Sequence, residues 1–400
     1  MNTRRKIILD TILGITVAYP LNLLVRLVGF FTKFDHSLTR PIHSIVICKF
    51  KGMGSIIQST PLIATLKKQY PNAKIIFVSS IENQKIINEI SWIDEGLYVD
   101  DRKIFSLLFT SFNLVRKLIG KKIDLYIDLE IYANYSSIIA TMSMAHDRFG
   151  YYSKTSQYRM GMYTHMMYFN TDAPITEAYL QFARLLKCNE IIHDSYVFDQ
   201  YEKANKSYFI INPNASDLRI ERRWTKESFI RLIQQLLVQY PDFDIHLIGS
   251  PSEASYVSEI SSQFKDNSRV VDFSGKTSIS GLLKMIAEAS LVITNDTGPM
   301  HLAATMRKKS VALFGPCSPQ QYAIGPTVYP IYMNLYCSPC VHEFLIPPCK
   351  GNNSCMKLIQ VSQVEEAVRI LMNGTFANNS NQTEKLFSET EIVFGKVSRK

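Results

Sequence analysis

The chain has 400 residues, of which 46% are hydrophobic and 20% are charged. This is a globular composition, and the length favours two domains of ordinary size. The net charge of +9 suits an anionic partner such as a nucleotide or a phospholipid headgroup. Nucleic acid is not an expected partner, because the basic residues are dispersed and no RNA-recognition, helix-turn-helix or paired zinc-finger pattern occurs.

Residues 1–40 form an apolar amino-terminal segment that we expect to associate with a membrane. The run from Ile7 to Phe31 is long enough to cross a bilayer. It is interrupted by polar residues and a helix-breaking proline, at Asp10, Pro20, Asn22 and Arg26. A single crossing would also carry the body of the protein away from cytosolic substrates. We therefore predict a monotopic or interfacial anchor, with a helix docked on the protein's own surface as the alternative.

From Ser44 onward the sequence alternates between strand-like and helix-like stretches, which predicts parallel α/β sheets. The alternation occurs in two series, so we predict one doubly wound domain over residues 41–200 and a second over 201–372. Their boundary is expected in the polar stretch Cys188–Ser207. Two such domains facing each other would form a cleft that binds small ligands. Residues 373–400 are polar and aperiodic and are predicted to be a flexible tail.

The turn after the first predicted strand has the sequence KFKGMGS and is a candidate ligand-binding loop. Gly52 and Gly54 let the backbone approach a ligand closely, and Lys49 and Lys51 add positive charge. A tight strand-to-helix turn explains both glycines equally well. The spacing matches neither a phosphate-binding P-loop nor a dinucleotide fingerprint, so the glycines alone do not identify a ligand.

The segment Leu291–Ala304, LVITNDTGPMHLAA, predicts a buried strand, a small polar turn and a helix that carries a histidine. Open α/β sheets bind ligands at the carboxyl ends of their strands, where this turn lies. The unpaired backbone N–H groups of the helix start, together with the helix dipole, favour an anion such as a phosphate. Alternatively, Asp296 or Thr297 merely caps the helix.

A cluster of four cysteines has the spacing C-x2-C-x8-C-x5-C, at Cys337, Cys340, Cys349 and Cys355. The first pair has the spacing of a structural zinc site, although the later spacings match no standard zinc finger. A structural zinc site, two disulfides and four free thiols all remain open.

These segments together carry a resemblance to a known family. The core NDTGPMHLAA, the segment FGPCSP at Phe314–Pro319, the turn NPNAS before the RRW of Arg222–Trp224, and the CSPC cluster resemble glycosyltransferase family 9, the heptosyltransferases of lipopolysaccharide assembly. The match covers roughly Ser44–Met372. The resemblance implies a GT-B fold of two Rossmann-like domains, and inverting, metal-independent transfer from a nucleotide sugar, with ADP-heptose as the leading donor.

The same resemblance implies a cell-envelope saccharide or glycolipid as the acceptor. We therefore call the turn KFKGMGS the acceptor-side loop and expect Lys49 and Lys51 to lie near the acceptor. Together with the apolar amino terminus, it places the protein at the cytoplasmic side of the inner membrane. No cofactor is expected for catalysis.

Carried over residue by residue, the resemblance predicts a donor site. Asp296 looks like the acid that holds sugar hydroxyls, and Thr297 and Gly298 look like the backbone cradle for the diphosphate, with His301 beside it. Either Arg222 or Arg223 replaces a family lysine that meets the donor phosphate. An arginine can do so with a bidentate fork.

Two further residues complete the predicted donor site. Asn214 lies in the NPNAS turn, and Glu253 lies in a position that resembles a nucleoside-binding region of the family. An acid that starts a helix explains Glu253 equally well.

The sequence departs from the family at the predicted catalytic base. Family members usually have Gly-Asp after the first strand, where this chain has Gly54 and Ser55. An unperturbed serine hydroxyl is a poor general base. Asp128 and Glu130, at the end of a neighbouring strand, share one face and are candidate replacements, with Glu130 favoured. The alternatives are a nucleotide-sugar-binding protein without turnover and a sugar-nucleotide epimerase.

Overall fold

The computed structural model describes residues 3–374 except 153, 171–172, 196, 216–218, 323–324, 342–343, 345–346 and 348, and omits the side chains of 3–9, 13 and 154–156. The chain divides into two compact units, Met1–Val197 and Phe198–Lys400. The division lies within the polar stretch 188–207. The predicted tail, apart from residues 373–374, lies outside the described residues.

The first unit is built on a parallel six-stranded sheet with the strand order β3-β2-β1-β4-β5-β6. Its strands are β1 (Ser44–Cys48), β2 (Lys74–Ser80), β3 (Glu95–Val99), β4 (Leu125–Asp128), β5 (Asp147–Tyr152) and β6 (His165–Tyr168). The described helices are α1 (Thr3–Thr32), α2 (Met53–Gln58), α3 (Thr60–Gln69), α4 (Gln84–Ile87), α5 (Ile104–Lys121), α6 (Asn134–Met142) and α7 (Ile175–Leu185). Strand β1 lies at the centre of the sheet because its side chains are apolar toward both faces.

The second unit repeats this plan with the order β12-β11-β10-β7-β8-β9. Its strands are β7 (Lys206–Asn212), β8 (Asp244–Leu247), β9 (Val270–Asp272), β10 (Ala289–Asn295), β11 (Ser310–Phe314) and β12 (Val328–Tyr332). Its described helices are α8 (Lys226–Gln239), α9 (Ala254–Ser261), α10 (Ile279–Glu288), α11 (Gly298–Thr305), α12 (Pro319–Tyr322), α13 (Ser354–Lys357) and α14 (Val361–Met372). The predicted α/β class with two doubly wound parallel sheets is confirmed.

Each sheet has one point at which the strand order reverses. In the first unit it lies between β1 and β4, where Cys48 pairs with Asp128. In the second unit it lies between β7 and β10, where Asn212 pairs with Thr294. Ligands of open α/β sheets bind outside the carboxyl ends of the strands at such a switch point. The predicted acceptor-side loop and the predicted donor turn each follow a strand at one of these points.

Helix α1 is continuous across Pro20, so the expectation that this proline breaks the helix is wrong. Polar residues on both sides of it hold the helix to the first unit. The Asp10 carboxylate accepts hydrogen bonds from the backbone N–H groups of Asn134 and Tyr135, at 2.9 and 2.7 Å. Arg26 donates to the carbonyl of Met160 at 2.7 Å. These contacts fix the helical path where the ring removes a backbone donor.

The orientation of α1 is inverted relative to an ordinary surface helix. Asp10 and the buried Asn22 face the protein, together with the small residues Gly14 and Ala18. The apolar side chains point outward and are exposed at Ile12, Val17, Leu23, Leu24, Leu27, Val28, Phe30 and Phe31. The stretch Asp10–Thr32 is long and apolar enough to cross a membrane, with a mean hydropathy of 1.7 and 18% of its most apolar window buried. The residues that interrupt the apolar run are therefore the residues that dock the helix.

Candidate functional site

The turn after β10 is fixed by a network of asparagine side chains. The Asn295 amide accepts a hydrogen bond from the backbone N–H of Trp224 at 3.2 Å and donates to the carbonyl of Asn214 at 3.0 Å. Trp224 is fully buried and its indole N–H donates to the carbonyl of Ile359 at 3.0 Å. The RRW segment is thus anchored by its tryptophan against the end of β10, which places Arg222 beside Asp296.

Asp296 is the centre of the candidate donor site. Its side chain is 1% exposed, yet neither carboxylate oxygen accepts a hydrogen bond from a described N–H or O–H group. Its nearest charged partner is Arg222, whose Nη1 lies 3.4 Å from Oδ2 and whose side chain is 20% exposed. A buried carboxylate normally accepts several hydrogen bonds. The two oxygens of Asp296 therefore mark a place where a ligand can supply N–H or O–H donors.

At neutral pH, Arg222 is the charged group beside Asp296, and the other polar neighbours are neutral. Burial opposes the charge of Arg222, but Asp296, Cys317 and Tyr322 together outweigh burial and raise the pKa of the guanidinium. Burial lowers the pKa of His301 to about 4, with Nε2 lying 4.0 Å from Oδ1 of Asp296. Burial also raises the pKa of Cys317 and of Tyr322 well above the ordinary values. One ion pair thus lies among three neutral polar side chains.

The start of helix α11 lies directly after Asp296. Thr297 precedes the first helical residue, and no described side chain caps the helix. The Thr297 hydroxyl accepts a hydrogen bond from the Asn212 amide at 2.8 Å, which ties the turn to the end of β7. Gly298 and Thr297 are partly exposed. The alternative that Thr297 caps the helix is not what the structure shows, and the helix start keeps its capacity to bind an anion.

Three other predicted donor residues make contacts within the fold. Arg223 donates to the carbonyl of Ala215 at 2.9 Å and lies over the Tyr256 ring at 4.4 Å, so Arg222 is the arginine that meets Asp296. Asn214 is buried and donates to the carbonyl of Ile248 at 2.9 Å. Glu253 accepts from the backbone N–H and the hydroxyl of Ser250 at 2.8 and 2.7 Å. Glu253 therefore lies at the start of its helix, as the alternative interpretation of this residue predicts.

In the first unit, Glu130 binds the candidate acceptor-side loop. Its carboxylate accepts from Lys49 Nζ at 2.9 Å and from the backbone N–H groups of Phe50 and Lys51 at 2.9 and 3.0 Å. Burial favours the neutral acid, but the Lys49 charge and these donors outweigh burial and lower the pKa of Glu130. Glu130 is thus ionised and 6% exposed, and both of its carboxylate oxygens accept hydrogen bonds. Its assignment as general base stays a prediction, and the structure adds a role in positioning the loop.

The second candidate base, Asp128, is completely buried. Its carboxylate accepts a hydrogen bond from the Tyr163 hydroxyl at 2.6 Å and from the Glu130 backbone N–H at 2.9 Å. Burial raises the pKa of Asp128 to about 6. A carboxylate with no exposed surface cannot reach an acceptor hydroxyl, so the structure disfavours Asp128 as the base.

The acceptor-side loop offers one free cation and not two. Lys49 is buried in its ion pair with Glu130, which contradicts the expectation that it meets the acceptor, whereas Lys51 is exposed. Gly52 has φ +86, a conformation that glycine adopts without strain, and Gly54 is partly buried. Ser55, in the place of the family aspartate, is partly exposed and hydrogen-bonds with Tyr179.

The four clustered cysteines are free thiols, so the structure supports neither disulfide. They lie close enough to interact electrostatically, and burial raises the pKa of Cys355 to about 12. A zinc site requires deprotonated sulfurs that surround one point. Among the described residues, the group whose ligand atoms all lie within 4.8 Å of one another is His36, His146 and Asp147, and no three cysteines do so. The cysteines as placed do not fit a zinc ion.

Sequence reasoning missed two residues of the Asp296 site. Cys317 lies in the FGPCSP segment, but nothing local in the sequence places it beside Asp296. Tyr322 had no signal at all, because the short helix α12 that carries it has no apolar period. Both are buried against the Asp296–Arg222 pair.

Comparisons with known proteins agree with this architecture. The family model described as glycosyltransferase family 9 (heptosyltransferase) matches residues 111–347. A lipooligosaccharide heptosyltransferase 2 of Campylobacter jejuni serotype O:2 is 32% identical over 180 residues, which span 43% of this chain and 53% of that protein. The enzyme of the same name from serotype O:6 is 25% identical over 80% of this chain and 96% of its own length.

Among solved structures, the Escherichia coli ADP-heptose lipopolysaccharide heptosyltransferase II matches with a TM-score of 0.64 and 18% identity. The match covers 84% of this chain and all of that chain. It confirms the predicted GT-B fold class. Because the family model matches more than half of the chain, the family is established. The chain belongs to glycosyltransferase family 9, the heptosyltransferase family, and is a glycosyltransferase.

Proposed function

We propose that this glycosyltransferase transfers a sugar from a nucleoside-diphosphate donor to a lipopolysaccharide or other cell-envelope saccharide, with inversion and without a metal ion. A heptose carried by ADP is the leading donor. The observation that carries the proposal is the buried Asp296, whose two carboxylate oxygens accept no hydrogen bond from a described N–H or O–H group, beside Arg222 at the switch point of the second sheet. Relatives named as heptosyltransferases support the choice of sugar.

The site is suited to hold both parts of such a donor. Ionised carboxylates only accept hydrogen bonds, and sugar hydroxyls donate them, so Asp296 is a natural partner for the sugar. The Arg222 guanidinium and the uncapped N–H groups at the start of α11 are suited to the diphosphate. The leaving diphosphate gains negative charge in the transition state. Fixed cationic and N–H groups can stabilise that charge as a metal ion does in other transferases.

On the acceptor side, we propose Glu130 as the general base. The Lys49 ion pair keeps Glu130 ionised, and a base must be ionised to take a proton from the acceptor hydroxyl. The same pair makes Glu130 a weaker base, which is consistent with its lowered pKa. The exposed Lys51 is suited to a negatively charged acceptor.

A second candidate function is nucleotide-sugar binding without turnover. It is favoured by Ser55 in the place of the family aspartate and by the three donors that already occupy Glu130. It shares the donor site of the leading proposal. The two candidates differ only in whether sugar is transferred when an acceptor is present.

The site of action that we propose is the cytoplasmic surface of the inner membrane. Helix α1 supports it, because its polar residues dock on the protein while its apolar side chains face outward. Such a helix can lie in the membrane interface with its apolar face among the acyl chains. An acceptor with a lipid anchor is presented at that surface.

The experiment is a thermal-shift panel of ADP, GDP, UDP, CMP and their sugar conjugates. Wild type is compared with Asp296→Ala and with Asp244→Ala, a control at the amino end of β8. A ligand at 100 times its Kd stabilises a fold by about 2.7 kcal/mol. We expect one nucleotide sugar to stabilise wild type and the control but not Asp296→Ala. If every nucleotide sugar gives the same shift with Asp296→Ala as with wild type, the donor site is elsewhere.

A further inference from the structure

Helix α5 exposes a row of apolar side chains that the proposed function does not use. Phe105, Leu108, Phe109 and Phe112 are between 62 and 83% exposed. They are spaced at i, i+3, i+4 and i+7, so they form one stripe of the helix. The opposite stripe, which includes Leu114, Val115 and Leu118, is buried in the core of the first unit. The helix is therefore apolar on both faces, and its outer face lacks a protein partner within the described residues.

Helices α5 and α1 both pack against α6. Tyr135 of α6 joins the two helices, because its backbone N–H donates to Asp10 of α1 and its hydroxyl hydrogen-bonds with Ser111 of α5, at 2.7 and 2.6 Å. All three helices run from the carboxyl edge of the first sheet toward its amino edge. Helices α1 and α5 thus lie on the same side of the first sheet as α6, and each has an exposed apolar face.

The charges on this surface favour a lipid surface over another protein. Helix α5 contains no acidic residue, and its apolar row is followed by the exposed Arg116 and Lys117. The acid in the described part of α1, Asp10, is turned inward. Apolar side chains flanked by cations are suited to a bilayer with anionic headgroups. A second copy of the chain would instead bring two positively charged surfaces together.

We infer that the outer face of α5 is a second membrane contact, which lies in the interface beside α1. The inference rests on the proposed action at a membrane and adds a surface to it. Phe105 lies six residues beyond Val99, the last residue of β3, so it is within about 20 Å of the carboxyl edge of the sheet. The acceptor-side loop follows β1 at this same edge. Contact through α5 therefore holds that loop close to the lipid surface, where a lipid-linked acceptor is found.

The test is flotation of the full chain with vesicles of phosphatidylethanolamine and phosphatidylglycerol. A variant with Phe105→Ser, Phe109→Ser and Phe112→Ser is compared with Val238→Ser, an exposed apolar control in the second unit. The bilayer would bury these three aromatic side chains, so their loss is expected to lower the vesicle-bound fraction at least about tenfold. The control is expected to bind as wild type does. The donor-induced thermal shift is measured on the same samples, so that loss of the donor site is recognised separately.

The inference would be overturned if the triple variant bound vesicles as well as wild type does, or if wild type did not bind vesicles. It would also be overturned if wild type were a dimer and the triple variant a monomer, while both bound vesicles equally. If the triple variant fails to fold, Phe109→Trp replaces it. Its fluorescence is expected to be quenched by brominated lipid in vesicles, with Trp92 and Trp224 of the unsubstituted chain as the background. Fluorescence no more quenched than that background would place position 109 in water and reject the contact.

Discussion

The Asp296–Arg222 pair combines a buried acid with a cation that keeps some exposure. A ligand that enters here meets the guanidinium at the surface and the carboxylate behind it. The neutral His301, Cys317 and Tyr322 line the pair without adding charge, because burial opposes the charged form of each. At the scale of single residues, the site is therefore prepared for a ligand with a negatively charged part and a part rich in hydroxyl groups.

The arginine that binds the donor can be identified by substitution. Arg222→Lys keeps the charge but loses the planar fork, so we expect the Kd of the donor to rise by about tenfold. Titration calorimetry measures this change. Arg223→Lys is the matched control, because Arg223 contacts Ala215 and Tyr256. Equal weakening in both variants would mean that the effect is a general disturbance of the turn.

His301 predicts a dependence of stability on pH. Its pKa is about 4 in the folded protein and 6.5 in a model compound, so the unfolded chain binds the proton more readily. The contribution of neutral His301 is complete above the unfolded pKa and is lost as the pH falls toward the folded pKa. Between about pH 7 and about pH 4.5, wild type should lose on the order of 2 kcal/mol more stability than His301→Gln. Parallel urea titrations that show no difference between the two proteins would contradict this assignment.

The Lys49–Glu130 pair allows structure and catalysis to be separated. Glu130→Gln leaves the buried Lys49 charge without its partner, which costs on the order of 3–5 kcal/mol of folding stability. The double variant Lys49→Met with Glu130→Gln removes both charges and should recover most of that stability. If Glu130 is the base, the stable double variant still transfers sugar at least about 100-fold more slowly than wild type. Wild-type turnover by this variant would leave Glu130 with a positioning role only.

At the scale of elements, the sequence pattern and the structure differ most at the amino terminus. A hydropathy profile treats Asp10, Asn22 and Arg26 as defects in an apolar run. In the structure the first of these caps α6, and the other two hold the turn around Tyr158 and Met160. Periodicity shows that such residues share a face, but not which face meets the protein, because that depends on a partner far along the chain.

Asp10 is expected to control the docking of α1. Asp10→Ala removes the acceptor for the first N–H groups of α6, a loss comparable to that of an N-cap residue, about 0.5–2 kcal/mol. Limited proteolysis should then cut within α1 faster than in wild type. Asp35→Ala serves as the control, because the described hydrogen bonds of Asp35 are to nearby Ser37. Unchanged protection of α1 in Asp10→Ala would show that its packing does not depend on this cap.

At the scale of the whole molecule, the fold could be predicted because buried parallel strands leave long apolar runs that alternate with amphipathic helices. Both sheets, the donor turn at Asp296 and the acceptor-side loop follow from that alternation and from the switch-point rule. Two contacts could not be predicted: the ion pair of Lys49 with Glu130 and the position of Tyr322 beside Asp296. The first pair is 81 residues apart in the chain and the second pair is 26 residues apart. Nothing local in the sequence encodes such contacts.

The most direct test of the account is the release of nucleoside diphosphate from ADP-heptose, with and without a truncated lipooligosaccharide acceptor, by wild type and by Asp296→Asn. We predict that ADP appears with wild type only when the acceptor is present, together with an acceptor heavier by one heptose in the mass spectrum. Asp296→Asn should lower the rate by at least about 100-fold, because the sugar loses its charged partner. Transfer by Asp296→Asn at the wild-type rate, or no transfer by wild type from any nucleotide sugar that it binds, would contradict the account.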